Sequence, residues 1–324
     1  GGRESGGGGR ESGGGGRESG GGGRESGGGG REAGNVGREA GSRGMTSWRD
    51  IARLVRAPAA LSVPGDVVAG AAAAGTLRPR TLGLAGASVC LYWAGMAAND
   101  WADRHIDAVE RPGRPIPSGR VRPGTALGIA AGLTGAGLAL AAAAGGRRAL
   151  AVAAPLAGAV WAYDLAAKNT VAGPAVMAAC RGLDVLLGVG HGRHRAAVPA
   201  ALTVAAHTYL LTVLSRRETT GADAALPSVT LAGTAVVAGV AASRRVPAAG
   251  LLSAWYAARF GAAQHLARER PDAAALQNAV AAGITAFPAL QGALTARAGS
   301  PAAGVAVAGA AVVAKRLARV VSPT

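Results

Sequence analysis

The sequence predicts an all-α fold, a polytopic bundle of about nine transmembrane helices, on three observations. Apolar runs recur along the chain, most of them close to the roughly 17–25 residues that a membrane span requires. Hydrophobic residues make up 49% of the chain but aromatic residues only 3%, as in helices that pack closely in lipid through small side chains. Charged residues total 16%, below the globular average of about 25%, and they cluster between the apolar runs.

Two of the ten apolar runs leave the number of spans open. The run at 149–164 is short, and the run at 246–265 carries Arg259. We therefore predict nine or ten spans, at residues 57–77, 81–100, 124–146, 149–164, 171–190, 196–214, 224–243, 246–265, 273–296 and 300–318.

The N-terminal region, residues 1–44, is expected to lie outside this bundle. Residues 3–44 are six heptads, RESGGGG four times and then REAGNVG and REAGSRG, with almost nothing to bury. We expect either a disordered tail or translated upstream sequence with Met45 as the native start. Residues 45–324 form the predicted membrane domain.

The segment that follows Met45 is predicted to be an amphipathic helix. Between Ser47 and Arg56, basic residues share one face and apolar residues share the other. This pattern is typical of a helix that lies in the headgroup region before the first span.

Acidic residues concentrate in one stretch, residues 99–119, which reads NDWADRHIDAVERPGRPIPSG. Of the 18 acidic residues in the chain, six belong to the heptads, and four of the other twelve fall here within eleven positions. If the preceding apolar run continues as a helix, Asp100, Asp103 and Asp107 lie at i, i+3 and i+7 on one stripe. Three such carboxylates repel one another unless a cation lies among them, and oxygen ligands of this kind suit Mg²⁺ together with phosphate oxygens.

Basic residues follow the carboxylates directly. Prolines at 112, 115 and 117 end the helix and are expected to hold Arg111 and Arg114 in an extended, stiff loop. Carboxylates, a metal and guanidinium groups at one place indicate a diphosphate site. The alternative is a solvated charged loop between two spans.

The pattern NDxxDxxxD followed by RPxRPIPSG resembles the first aspartate-rich motif of the UbiA family of intramembrane prenyltransferases. The matching residues are Asn99, Asp100, Asp103, Asp107, Arg111, Pro112, Arg114, Pro115, Ile116, Pro117, Ser118 and Gly119. The resemblance implies a membrane enzyme that binds a prenyl diphosphate through Mg²⁺ and moves the prenyl chain to a small-molecule acceptor. It assigns Asp100, Asp103 and Asp107 as metal ligands, with Asn99, Arg111 and Arg114 in substrate binding.

A second element, Tyr163 to Thr170 (YDLAAKNT), is similar to the Tyr…Lys element of the same family. The resemblance implies that Lys168 contacts diphosphate oxygens and acts in catalysis, with Tyr163 beside the substrate. The alternative is a lysine that extends to the membrane surface next to an interfacial tyrosine. This stretch and CRGLDVLLG are similar to the EboC-like branch of the family.

The second aspartate-rich motif of the family is depleted in this chain. Ser215 and Ala222 stand where aspartates are usual, Glu218 supplies one carboxylate, and Asp223 is displaced by one position. A second Mg²⁺ is therefore in doubt at this place. Basic residues here, Arg216 or Arg217, would neutralise phosphate charge instead.

Ionisable residues also occur inside predicted spans. Arg181 and Asp184, at i and i+3, form either a structural ion pair or a substrate contact, because such residues usually face the bundle interior. The sequence suggests no ion-pair partner for Asp66. We predict that Asp66 either has a structural role or lies in the substrate pocket, where it would orient the acceptor. His191 and His194, in a loop on the opposite face, do not predict a metal site.

Charge placement gives a weak preference for orientation. With the N-terminus inside, the loops that carry the motifs are cytoplasmic and hold ten basic residues, against nine in the opposite loops. Arg49, Arg53 and Arg56 add to the cytoplasmic side. We therefore predict a multi-pass protein of the cell membrane with the motif loops in the cytoplasm.

The function predicted from these features is that of a Mg²⁺-dependent membrane prenyltransferase with an unidentified, lipophilic or aromatic acceptor. Its partners would be a prenyl diphosphate, the acceptor and membrane lipid, and the net charge of +16 is assigned to loops and not to nucleic-acid binding. A CDP-alcohol phosphotransferase is disfavoured because no DGxxAR pattern starts the motif. A transporter or lipid-binding protein that kept the fold but lost catalysis is the alternative, supported by the depleted second motif.

Overall fold

A computed structural model describes residues 47–56, 62–243 and 245–310, and within them every regular element is a helix. The heptad tail and Met45 lie outside the described residues. The helices are α1 (Trp48–Leu54), α2 (Val63–Ala73), α3 (Arg80–Ala102), α4 (Arg104–Glu110), α5 (Pro123–Ala162) with a π-helical turn (Tyr163–Ala167), α6 (Gly173–Gly188), α7 (His194–Ser215), α8 (Ala225–Ala241), α9 (Pro247–Glu269) and α10 (Ala273–Arg297). One more helix, Pro301–Ala310, extends to the end of the described residues.

Each of the ten predicted apolar runs is helical as far as it is described, so the all-helical prediction is confirmed. Within the described residues, four stretches are long and apolar enough by themselves to cross a membrane: Arg80–Ala102, Pro123–Ala167, His194–Ser215 and Ala273–Arg297. Shorter apolar helices add to them, at Val63–Ala73, Ala225–Ala241 and Pro301–Ala310.

Two of the predicted runs, 124–146 and 149–164, are separate helical arms with a break at Gly146, and we label the two arms together as α5. This residue has φ 62° and ψ −160°, a backbone conformation that is essentially restricted to glycine. The two arms of α5 then run in opposite directions along α3, because Gly137 of the first arm faces Leu91 and Val160 of the second arm faces Gly95.

Small residues bring the helices close together in the interior. A Cβ atom at Gly70 of α2 would overlap the carbonyl of Val185, and one at Gly188 of α6 would overlap the carbonyl of Val67. Only glycine therefore allows this approach of α2 to α6. On the other side of the bundle, His207 stacks on Phe287 (4.6 Å between centroids), which makes it a contact between helices.

Loop contacts divide the bundle into two ends. We call the loops at 103–122, 168–172, 216–224 and 270–272 the aspartate end, where Lys168 contacts Asp103 and Ala222 N donates to Pro271 O (3.0 Å). We call the segments at 74–80, 145–148, 189–195, 242–243, 245–246 and 297–300 the arginine end. There Thr76 Oγ1 donates to Val189 O at 3.1 Å.

Candidate active site

The aspartate motif occupies the end of α3, the short helix α4 and the loop after it. Helix α3 ends at Ala102, and Asp103 separates it from α4 with φ −84° and ψ 0°. Hydrogen bonds continue across this break, since Asp103 N donates to Asn99 O (2.9 Å) and Asp107 N donates to Asp103 O (2.8 Å). The predicted single helix is thus divided into α3 and α4 at Asp103. Because the hydrogen bonds continue, Asp100, Asp103 and Asp107 nevertheless keep nearly helical spacing.

Arg114 links two buried carboxylates of the motif. Its Nη1 donates to Asp107 Oδ2 (2.6 Å) and to Asp100 Oδ1 (3.2 Å). Arg56 Nη2 also donates to Asp100 Oδ1, at 2.9 Å. Asp100 is 3% exposed and Asp107 is 4% exposed, and buried charges of this kind are strongly disfavoured unless they are paired. The two carboxylates therefore converge on one cationic nitrogen.

The loop after α4 folds as a series of turns and not as the extended segment that we predicted. Arg114 N donates to Arg111 O, and Ser118 N donates to Arg114 O, both at 3.0 Å. Proline fixes φ near about −65°, which suits the second position of a turn, and Pro112 and Pro115 both take such a position. The turns direct Arg114 inward and leave Arg111 exposed.

Helix α1 packs on this loop. Leu54 is fully buried in one apolar cluster with Ile116 of the loop. Arg120 Nε lies 3.7 Å from Asp50 Oδ1, and the Ser47 hydroxyl donates to Asp50 at 2.6 Å and lowers the pKa of that carboxyl. The predicted amphipathic helix is thus confirmed as a helix, and it covers the motif loop.

The predicted Tyr163 to Lys168 element forms a π-helical turn at the same end of the bundle. Lys168 N donates to Tyr163 O (2.9 Å), the five-residue spacing of a π-helix, which often marks a functional site. Lys168 Nζ donates to Asp103 Oδ1 at 2.5 Å. Asn99 Nδ2 donates to Asp164 Oδ1 at 3.3 Å. The element therefore places a cation on the third carboxylate of the motif.

A cavity of about 240 Å³ lies between α3, α6 and the π-helical turn. Its rim is polar and its wall is apolar and rich in sulfur. The rim residues are Arg56, Asn99, Tyr163 and Asp164, and the wall residues are Tyr92, Gly95, Met96, Val160, Met177 and Cys180. The cavity therefore joins the charged motif to an apolar interior.

Two residues of this site, Arg56 and Asp164, were not among the predicted site residues. We assigned Arg56 to the headgroup face of α1, but its guanidinium contacts a carboxylate 44 positions away. The signal for Asp164 was available, because it is an acidic residue beside Tyr163 near the end of a span. Its burial at 7% exposure and its contact with Asn99 appear only in the folded chain.

The depleted second motif also lies at the aspartate end, where it contacts the loop after Lys168 and helix α10. Arg216 donates to the carbonyl of Thr170, and Gln277 Nε2 donates to the backbone carbonyl of Glu218 (3.1 Å). Arg217 is exposed, and Glu218 is half-buried. These residues lie beside the Lys168 loop, and within the part of the chain that the structure describes none of them forms a hydrogen bond or ion pair with the three aspartates.

The charged residues inside the spans form a separate cluster in the bundle interior. Arg181 Nε lies 2.8 Å from Asp66 Oδ2, and Gln291 Nε2 donates to Asp66 Oδ1 at 2.7 Å. Asp184, the nearer neighbour in sequence, is fully buried and forms no ion pair within the described residues. The guanidinium also lies over the ring of Tyr92, 5.4 Å from its centroid. Asp66, without a partner by sequence, is therefore the ion-pair partner of Arg181.

Metal-binding geometry is incomplete in this arrangement. Among the described residues, no three His, Cys, Asp or Glu side chains are grouped so that they could hold a metal ion. The carboxylates of the motif instead contact Arg56, Arg114 and Lys168. These contacts leave the motif charge neutralised by the chain itself.

Sequence comparison relates the chain to known proteins. The UbiA prenyltransferase family matches residues 62–322. The digeranylgeranylglyceryl phosphate synthase of Methanopyrus kandleri is 41% identical over 101 residues, 30% of this chain and 35% of that protein. The bacteriochlorophyll synthase 33 kDa chain of Rhodobacter capsulatus is 60% identical over 38 residues, 12% of each chain. These two matches thus span 35% and 12% of the length of the curated relatives.

Two solved structures share the fold. One, described as digeranylgeranylglyceryl phosphate synthase in membranes, has a TM-score of 0.62 at 17% identity and covers 78% of this chain and 99% of that one. The other, a UbiA homolog from Archaeoglobus fulgidus bound to GPP and Mg²⁺, has a TM-score of 0.52 at 14% identity and covers 80% and 99%. The fold is therefore that of an integral membrane helix bundle. Because the family match extends over most of the chain, the protein belongs to the UbiA prenyltransferase family.

Proposed function

We propose that this protein moves a prenyl group from a prenyl diphosphate to a lipophilic or aromatic acceptor in the membrane. The observation that supports this most is the charged cluster beside the 240 Å³ cavity. The cluster offers cations for a diphosphate, and the cavity wall offers apolar contacts for an isoprenoid chain.

Mg²⁺ is the proposed cofactor, and Asp100, Asp103 and Asp107 are the proposed ligands. Arg114 Nη1 stands within 3.2 Å of oxygens from both Asp100 and Asp107, which marks a place where two carboxylates bind one cation. Mg²⁺ usually takes only one or two protein carboxylates when phosphate oxygens and waters complete its shell, so the pair Asp100 and Asp107 fits, and Asp103 would be an additional ligand. When bound, Mg²⁺ would neutralise negative charge on the diphosphate.

Basic residues at the aspartate end would bind the diphosphate oxygens directly. Arg111, Arg114 and Lys168 would stabilise the negative charge that develops on pyrophosphate as the carbon–oxygen bond breaks. The allylic cation that remains would be captured by an electron-rich acceptor. Asn99 and Tyr163, at the cavity rim, would hold the reacting end of the prenyl chain.

The other predicted contacts remain part of this proposal. Arg217 and Glu218 lie at the aspartate end, where they would extend the phosphate site without a second metal. Asp66, Arg181 and Asp184 lie deeper, and the Tyr92 ring over the guanidinium also lines the cavity. The interior cluster would therefore support the acceptor end of the pocket. We also propose that the aspartate end faces the cytoplasm.

A lipid-binding protein or transporter without catalysis is the second candidate. It is favoured by one observation: all three carboxylates of the motif already contact basic side chains of the same chain. If these contacts persist with substrate present, no carboxylate is available for a metal.

The two candidates are separated by a binding and turnover experiment. Purified protein in lipid is incubated with labelled prenyl diphosphates and a membrane lipid extract, with Mg²⁺ or with a chelator. We expect Mg²⁺-dependent transfer in the wild type and its loss in Asp103→Asn, which is nearly isosteric, with a smaller effect in Glu218→Gln. Mg²⁺-independent binding without transfer, or full activity of Asp103→Asn, would contradict the proposed metal site.

A further inference from the structure

The arginine end of the bundle carries an unusual excess of one charge. Its described segments contain eight arginines and not one acidic residue: Arg78, Arg80, Arg147, Arg148, Arg193, Arg195, Arg245 and Arg297. The proposed prenyl transfer uses none of them. Like charges at this density repel one another, so an anionic partner would stabilise them.

Some of these arginines line one groove between α5 and the segment before α7. Its volume is about 550 Å³, and its lining includes Arg148, Arg193 and Arg195 without an acidic residue. The sharp turn at Gly146 places Arg148 here, and Arg148 Nη1 donates to His191 O at 2.9 Å. This hydrogen bond orients one guanidinium at the mouth of the groove.

A buried nitrogen in the groove also lacks a partner. His194 Nε2 is inaccessible to solvent and makes no hydrogen bond within the described residues. A buried polar atom without a partner is costly, and an outward turn of the imidazole ring would bring Nε2 within reach of a phosphate or hydroxyl oxygen in the groove. Guanidinium groups bind phosphate in a bidentate manner, so this donor set suits a phosphate ester.

Apolar surface continues from the groove along the bundle. Ala151 and Val152 of α5 form part of its lining. On α7, Val198 (39% exposed) and Leu202 (65% exposed) follow His194 at i+4 and i+8, so they lie on the same face. A free anion would make no use of this face, whereas an acyl chain would cover it.

We propose that this groove binds an anionic membrane phospholipid, with its phosphate on Arg193, Arg195 and His194 and an acyl chain along Val198 and Leu202. Basic pockets between membrane helices bind such headgroups by the same chemistry. The groove is distinct from the proposed prenyl site, because the second arm of α5, about 24 Å long, separates them.

The test measures retention of lipid by the purified full chain in detergent. The protein is mixed with equal amounts of phosphatidylglycerol and phosphatidylcholine, and native mass spectrometry counts each bound lipid. We expect the wild type to retain phosphatidylglycerol preferentially. The double variant Arg193→Gln/Arg195→Gln should lose about tenfold in this preference, since two charge-assisted contacts are removed.

The matched control is Arg268→Gln/Arg270→Gln, which removes two exposed arginines of the same spacing near the aspartate end. It should retain the preference of the wild type. An equal loss in both double variants, or no preference in the wild type, would overturn the proposal. Displacement of phosphatidylglycerol by inorganic phosphate alone would also overturn it, because the site would then bind free anions.

Discussion

The two ends of the bundle use arginine in opposite ways. At the aspartate end, Arg56 and Arg114 are held against Asp100 and Asp107, and each charge is placed by its partner. At the arginine end the sequence offers no acidic partner, and Arg193 is exposed. Whether an arginine of this protein is held in place or remains exposed therefore depends on whether a carboxylate lies beside it, and not on the number of basic residues in its loop.

The largest expected effect concerns the sidedness of the two ends. Single cysteines at Gly113 and Thr220 should react with a membrane-impermeant thiol reagent from one side, and a cysteine at Arg193 from the other. The variants are made in a background where Cys90 and Cys180 are alanine. Labelling of all three from the same side would refute the two-ended arrangement.

Two buried carboxylates in the interior, Asp66 and Asp184, test whether an ion pair or burial alone determines how much a carboxylate contributes to the free energy of unfolding. Asp66→Asn removes the ion-pair partner of buried Arg181 and should lower the free energy of unfolding by roughly 3–5 kcal/mol. Asp184→Asn, at an equally buried carboxyl that forms no ion pair within the described residues, should change it by less than about 1 kcal/mol. Denaturant unfolding in micelles measures both, and equal losses would show that burial dominates.

Removal of one arginine from each end compares the ends directly. Arg114→Gln leaves Asp107 without its cation and should lower the free energy of unfolding by about 2 kcal/mol, since the side chain is 20% exposed and partly screened. Arg193→Gln, at an exposed side chain, should change it by no more than about 0.5 kcal/mol. Thermal unfolding of the two variants in the same detergent gives the comparison. A larger loss of stability in Arg193→Gln than in Arg114→Gln would contradict this prediction.

The smallest expected effect concerns the turn that shapes the arginine end. Gly146→Ala places a side chain at φ 62° and 3.2 Å from His191 Nε2, and it should cost about 1 kcal/mol or more. The control is Gly158→Ala in the second arm of α5, where a Cβ meets nothing within 4 Å. That change should be neutral or stabilise the helix by up to about 1 kcal/mol. Unfolding in micelles should separate the two, and equal effects would argue against the strained turn.

The helices and the location of the charged motif could be predicted from the sequence alone. Apolar runs bounded by arginines and prolines are local patterns, and the run boundary near Arg147 predicted the interruption that the structure has at Gly146. The acidic and basic residues of the stretch 99–119 could likewise be recognised as a charged motif without the structure. The resemblance of this motif to the UbiA family was also visible in the sequence.

Which charged side chains contact each other follows from the packing of the helices and could not be predicted. Arg181 contacts Asp66, 115 positions away, and not Asp184 on its own helix, because the glycine contacts at Gly70 and Gly188 set how α2 faces α6. Arg56 reaches Asp100 because α1 packs on the motif loop. Helix periodicity specifies which residues share a face, but the rotation of one helix against another follows from long-range packing, which no local pattern records.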